Sequence, residues 1–147
     1  MTHEFAYPVT LTSDETDGGF VVTFPDVPEA ITQGNDVTDA LVQAADALEE
    51  AIAGRIRRGD SIPEPSKARP DQPVVLVPAL TAAKAALYLA LREAGISKSE
   101  LAGRLGCDEK EVRRLLDPKH LSKLPGIQKA LAALGKGIAV RLVDEAA

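Results

Sequence analysis

Lys110, Arg113 and Arg114 stand at i, i+3 and i+4 in the stretch DEKEVRRLL (residues 108–116), so a helix there brings three cations to one face. Arginine forks placed this way can donate bidentate hydrogen bonds to O6 and N7 of guanine, each contact worth about 1–3 kcal/mol of discrimination. The other face of the same helix is apolar, with Val112, Leu115 and Leu116 at i, i+3 and i+4. Upstream, Ser97, Lys98 and Ser99 open another short helix, whose first amide N–H groups and dipole suit a phosphate. Lys119 follows the arginines, with His120 and Lys123 beyond it, and these suit a nucleic-acid backbone. Glu109 and Glu111 place acids in the same stretch, either to accept from cytosine N4 or to weaken non-specific attraction.

The elements that must position these groups are legible around them. Leu101, Ala102 and Leu105 give the first short helix one buried face, and Gly106 breaks it where the chain must bend. Asp108 is placed to cap the second. Two short helices at a tight turn, the second carrying cations outward, form the pattern of a DNA-binding helix-turn-helix. A helix over 81–94, opened by Thr81 and closed by Gly95, precedes it, and Asp117-Pro118 ends it. A further helix over 124–134 stops at Gly135. Ile138, Val140 and Leu142 then alternate with Ala139, Arg141 and Val143, which predicts a short terminal strand. On a small helical domain such a strand has an unpaired edge, so pairing with a second subunit is expected.

The first half has another texture. Phe5, Tyr7, Val9 and Leu11 alternate, as do Phe20, Val22 and Phe24, with the turn cluster SDETDGG between them, so residues 5–24 predict a β-hairpin. Pro8 lies inside the first of these strands, where a bulge is expected. A short third strand is expected over 30–33, ended by Gly34. Asn35 or Asp36 can cap a helix over 36–58, whose Val37, Leu41, Ala44, Leu48 and Ile52 recur at helical spacing. A proline-rich loop follows, and residues 74–77 predict a strand returning to the sheet. The boundary falls at Pro78-Ala79, which gives an α+β domain over 1–78 and a helical domain over 79–147.

Charge divides at the same place. The 147 residues carry a net charge of −5, but residues 1–78 hold 14 acidic and 5 basic side chains, a net of −9. Residues 79–147 hold 8 acidic and 12 basic, a net of +4. Two partners of opposite charge are expected. Catalysis finds no support: His3 and His120 lie in different halves, and there is no metal-ligand spacing, P-loop or nucleophile elbow. Asp14, Asp17 and Asp26 are turn-formers, so neither a metal nor another cofactor is expected. Cys107 is the single cysteine, which excludes an intrachain disulfide and suits a reducing compartment. With no apolar run of membrane length and no secretory leader pattern, a cytoplasmic protein is expected.

With these residues in view, the chain resembles the HicB family of type II antitoxins, in its helix-turn-helix subclass. The resemblance rests on FPDVP (24–28), TQGND (32–36), GDSIPEPS (59–66), the stretch from Lys84 to His120, and LAALGKGIAVRLV (131–143). It departs from the family at Glu29-Ala30, where many members carry Gly-Cys. The resemblance implies a partial ribonuclease-H-like first domain lacking the nuclease's carboxylates. It further implies that this domain binds HicA, a small basic mRNA interferase. The second domain is then an operator-binding module, with dimers or higher oligomers. The expected function is that of an antitoxin and autorepressor: an acidic domain that occludes a HicA-like toxin, and a basic domain that binds a palindromic operator. Two other readings stand beside it, a stand-alone regulator with a ligand-sensing first domain and a residual nuclease.

Overall fold

The computed structural model describes residues 2–145. The chain divides into two compact units, and neither is a single stretch. Among the described residues, one takes 2–54, 63–78 and 143–145; the other takes Arg55–Ile62 and Ala79–Leu142.

The first unit is α+β. Its strands are β1 (Ala6–Pro8), β2 (Thr10–Ser13), β3 (Phe20–Thr23), β4 (Ile31–Gly34) and β5 (Val74–Leu76). They form two antiparallel sheets, β1-β5 and β2-β3-β4. The long hairpin expected over 5–24 is therefore cut down to β2-β3, in which Leu11 pairs with Val22. The cut falls at Val9, next to Pro8. A proline has no N–H to give a second neighbour, so β1 pairs on one side only, with Pro8 opposite Val74. At Val9 the backbone stays with that partner, its N–H donating to Pro73 O at 3.0 Å, before the chain crosses to the other sheet. A change of partner thus replaces the expected bulge, and residues 74–76 join β1 rather than the larger sheet. The third strand is displaced by one residue, since Gly34 belongs to it and pairs with Phe20.

Helix α1 (Val37–Arg58) follows at once. The Asp36 carboxylate accepts from the Asp39 N–H at 2.8 Å, and the Asp39 carboxylate accepts from the Asn35 N–H at 2.8 Å. One orphan donor of the first turn and the N–H of the residue before the cap are thereby satisfied. Ala40, Leu41, Ala44, Leu48 and Ile52 form its buried face, and Tyr7, Val9, Val22, Phe24, Val27 and Val75 are buried in the same unit. The loop after the helix is fixed from both ends. Tyr7 Oη donates to Pro63 O at 2.6 Å, Asp26 accepts from the Ser66 N–H and hydroxyl, and Gln72 Nε2 donates to Val9 O at 3.2 Å.

The second unit is helical: α2 (Ala79–Ala94), α3 (Lys98–Leu105), α4 (Glu109–Leu116) and α5 (Leu124–Ala133). Helix α2 starts two residues before Thr81, which lies buried in its first turn instead of capping it. The strand predicted over 138–143 is not formed: residues 136–145 have no helix or strand. All regular elements of this unit are helices, so the segment has no strand in its own unit to complete a ladder. Val140 is 88% exposed and Leu142 100%.

Gly34 marks a close backbone approach in the first unit, because a Cβ there would overlap the backbone N and Cα of Ala40. Gly34→Ala is expected to push β4 away from the first turn of α1 and to destabilise this unit by about 1–3 kcal/mol, an overpacking cost. A lowered midpoint in urea unfolding checks it; an unchanged midpoint contradicts the close approach.

Candidate nucleic-acid interface

Helices α3 and α4 are short, so their ends decide whether they form. Ser97 caps α3, its Oγ accepting from Glu100 N–H at 3.0 Å. Gly106 ends it with φ of 69°, and the Cys107 N–H reaches back to Ala102 O at 3.0 Å. That left-handed turn requires a residue without a Cβ penalty. Two residues later Asp108 caps α4, accepting from Glu111 N–H at 2.9 Å. Leu101, Ala102, Val112, Leu115 and Leu116 are buried, as the spacing predicts.

The far end of α4 is held by a group from another helix. Lys84, in the middle of α2, is fully buried, and its ammonium donates to Arg114 O at 2.9 Å, Leu115 O at 3.2 Å and Ser122 Oγ at 2.8 Å. Ser122 Oγ also donates to Arg114 O, at 3.2 Å. A cation thus sits on the negative end of the α4 dipole and satisfies carbonyls that have no partner within the helix. Burial pushes the Lys84 ammonium below the usual lysine range, an effect that the charge of Asp117 partly offsets. This residue is missed by sequence reasoning that looks for cations at surfaces. Its signal is present: Lys84, Leu87, Tyr88 and Leu91 lie at i, i+3, i+4 and i+7, which places the lysine on the buried face of α2.

On the outer side, Lys98, Ser99, Lys110, Arg113, Arg114 and Lys119 are exposed. Ser97 is exposed as well, but one acceptor site on its hydroxyl is committed to the cap. Lys110, Arg113 and Arg114 share one face of α4. Its first-turn acids are ion-paired to the arginines: Arg113 to Glu109 at 3.7 Å and Arg114 to Glu111 at 3.4 Å. All four side chains are about half exposed, so each pair contributes only about 0.2–0.5 kcal/mol. A bidentate contact to guanine is worth several times that, so a base edge can take either arginine from its glutamate. Lys119 follows an Asx turn, in which the Asp117 carboxylate accepts from the Lys119 N–H at 3.0 Å.

The arrangement is a capped helix–turn–helix within a basic helical unit, carried by a chain whose other unit is a small acidic sheet-plus-helix fold. Residues 6–86 match a family described as the HicB_like antitoxin of bacterial toxin-antitoxin systems. The chain is 38% identical over 137 residues to antitoxin HicB of Escherichia coli K12, covering 93% of this chain and 99% of that protein. It is 39% identical over 136 residues to antitoxin HicB 2 of Photorhabdus laumondii, covering 92% and 95% respectively. Over 139 residues it is 36% identical to antitoxin HicB of Pseudomonas fluorescens, with 94% and 95% covered. This chain belongs to the HicB family of antitoxins, which is not a class of enzymes. The family match ends inside α2, whereas an alignment of 137 residues must run through most of the helical unit as well. Among the described residues no helix is long and apolar enough to cross a membrane.

Lys84→Met leaves the Leu115 carbonyl without its donor and takes the ammonium from an Arg114 carbonyl that keeps Ser122 Oγ and the Asp117 N–H, and a loss of about 1–3 kcal/mol is expected at neutral pH. The pH dependence has a definite sign. With its folded-state pKa depressed, Lys84 loses its proton first in the folded chain, so between that value and the ordinary lysine pKa the unfolded chain binds more protons. The stability of the parent protein relative to Lys84→Met therefore rises with pH through that window. Urea unfolding of both proteins at a series of alkaline pH values checks it; a difference that falls with pH contradicts it.

Proposed function

We propose that this chain neutralises a small basic HicA-like mRNA interferase toxin with its first unit and represses its own operon by binding operator DNA with its second. The observation that carries this reading is the charge of the two units. The first holds 15 acidic and 2 basic residues, a net of −13; the second holds 7 acidic and 15 basic, a net of +8. The separation is sharper than a cut at residue 78 suggests, because Arg55, Arg57 and Arg58 belong with the helices while Asp144 and Glu145 belong with the sheets. An acidic face steers a basic toxin and fixes the choice of partner, and blocking the toxin's RNA surface needs no chemistry from this chain. Exposed Ile31 on β4 and Val42 on α1, 62% and 57% accessible, give such a face apolar anchors.

For DNA, α4 is the reading helix, with Lys110, Arg113 and Arg114 at base edges, while Ser97, Lys98, Ser99 and Lys119 lie along phosphates. The protein acts as a homodimer or higher homo-oligomer, formed by pairing of the 138–143 segments of two copies. That pairing supplies the ladder that one chain lacks and covers Val140 and Leu142. Two-fold symmetry then sets a palindromic operator, with half-sites one turn of DNA apart, about 34 Å, or a multiple of it.

Three outcomes are expected. Co-expression with a neighbouring toxin gene restores growth, and failure to do so defeats the antitoxin mechanism. Arg113→Ala weakens operator binding by about 1–3 kcal/mol in a fluorescence anisotropy titration; unchanged affinity in both Arg113→Ala and Lys110→Ala overturns the choice of reading helix. Truncation after Lys136 yields monomers in analytical ultracentrifugation and weakens binding to a two-half-site duplex far more than to a single half-site. A truncated chain that stays oligomeric overturns the pairing.

A further inference from the structure

A cleft in the helical unit lies where the last turn of α1, the end of α2, the start of α3 and the end of α4 meet. Its floor is apolar, from residues such as Leu91 and Leu116, and its lining carries Arg57, Arg58, Arg92, Lys98 and Arg113 against one carboxylate, Asp117. Two of these cations, Lys98 and Arg113, belong to the helix-turn-helix. Arg57, Arg58 and Arg92 do not.

Arg92 is held in place along one edge of its guanidinium. Nη1 donates to Gly59 O at 2.5 Å and to Tyr88 Oη at 2.7 Å, and the group lies over the Tyr88 ring, 5.3 Å from its centroid. Tyr88 Oη in turn donates to Asp60 O at 2.6 Å. Both hydrogens of Nη1 are thus used. The N–H of Nε and those of Nη2 have no partner among the described residues. An oriented guanidinium with spare donors and little rotamer freedom left to lose is what bidentate phosphate binding requires. Arg58, the last residue of α1, lines the same cleft, its Nε paired with Asp60 at 2.9 Å. Helix α3 begins at the same cleft with Lys98, whose N–H and that of Ser99 have no intrahelical acceptor.

We infer that this cleft is a seat for a DNA backbone phosphate, in which Arg92 and Arg58 act with Lys98 as a clamp outside the reading helix. The inference rests on the operator-binding reading above. The favoured occupant is DNA rather than a free anion because two of the five cations, Lys98 and Arg113, lie on the helix-turn-helix itself, so a duplex that meets α4 also meets the cleft. The apolar floor lowers the local dielectric and strengthens the cations' attraction for a phosphate. Such contacts carry no sequence information: they raise affinity for every duplex and steepen its dependence on salt.

The test uses the full-length protein and fluorescence anisotropy, with an operator duplex and an unrelated duplex, across about 50 to 200 mM salt. Arg92→Gln and Arg58→Gln are each expected to weaken binding to both duplexes by the same factor, about 3- to 20-fold, and to reduce the slope of log K against log salt by about 0.9. Asp60→Asn removes the acid that competes for Arg58 and is expected to strengthen both. Arg58 and Asp60 are exposed, so their variants carry the test if Arg92→Gln lowers the melting temperature. Parent protein that binds the operator while Arg58→Gln and Arg92→Gln leave both slopes unchanged overturns the clamp alone. A parent protein that binds no DNA overturns the operator reading and the clamp together. Loss at the operator with none at the unrelated duplex overturns the clamp in favour of base reading. Competition by inorganic phosphate beyond that of chloride at equal ionic strength overturns it in favour of a free-anion site.

Discussion

The second unit hangs on a single buried ammonium. Helices of eight residues do not persist alone, and α4 buries only Val112, Leu115 and Leu116. Lys84 joins it to α2 through two main-chain carbonyls and, by way of Ser122, to the segment that leads into α5. Taking a cation out of water is costly, and burial accordingly pushes the Lys84 pKa down. What offsets it is geometric: the helix end already presents unpaired carbonyls and negative potential at one place. An apolar residue there would fill space but could not say where α4 must stop or which way it must point. The orientation of Arg113 and Arg114, half a turn or less from those carbonyls, follows from the same contact.

Local chemistry explains why so much of the helical unit was legible in the sequence. Ser97, Gly106 and Asp108 act through the backbone within a few residues of themselves, so their types and spacing give the turn directly. The exposed positions of Lys110, Arg113 and Arg114 follow from helical periodicity alone. What failed to show was whatever depends on distant neighbours. Pro8 announces an irregularity, but only the fold decides that it becomes a change of sheet and not a bulge. The alternation from Ile138 to Leu142 is a real strand pattern, yet a strand is a relation between two segments, and its own unit supplies no second one. Lys84 lay on the apolar stripe in plain view, but its acceptors are some thirty residues away.

The arginines near the end of α1 show the same limit in another form. In sequence Arg55, Arg57 and Arg58 suit the negative end of a helix dipole and belong to an acidic half. In space they sit with the basic unit, where Arg55 Nη1 donates to Ser61 O at 2.9 Å and Tyr88 and Arg92 grip the loop at Asp60 and Gly59. Charge counted along the chain therefore understates the charge that each unit presents to a partner.

The glutamates paired to Arg113 and Arg114 bear on how such a protein finds its target. A chromosome offers an enormous excess of wrong sites, about 10⁶–10⁹, all carrying the same phosphates. Bare arginines would hold each of them and lengthen every fruitless stop. If α4 reads DNA as proposed, Glu109 and Glu111 would compete with each passing phosphate for the same side chains, by about 0.2–0.5 kcal/mol a pair, and would yield where a base edge offers a better partner. On the proposed role of α4, these acids would shorten residence on the wrong sequence more than on the right one. Their effect would then fall on the duration of the search as well as on its end point.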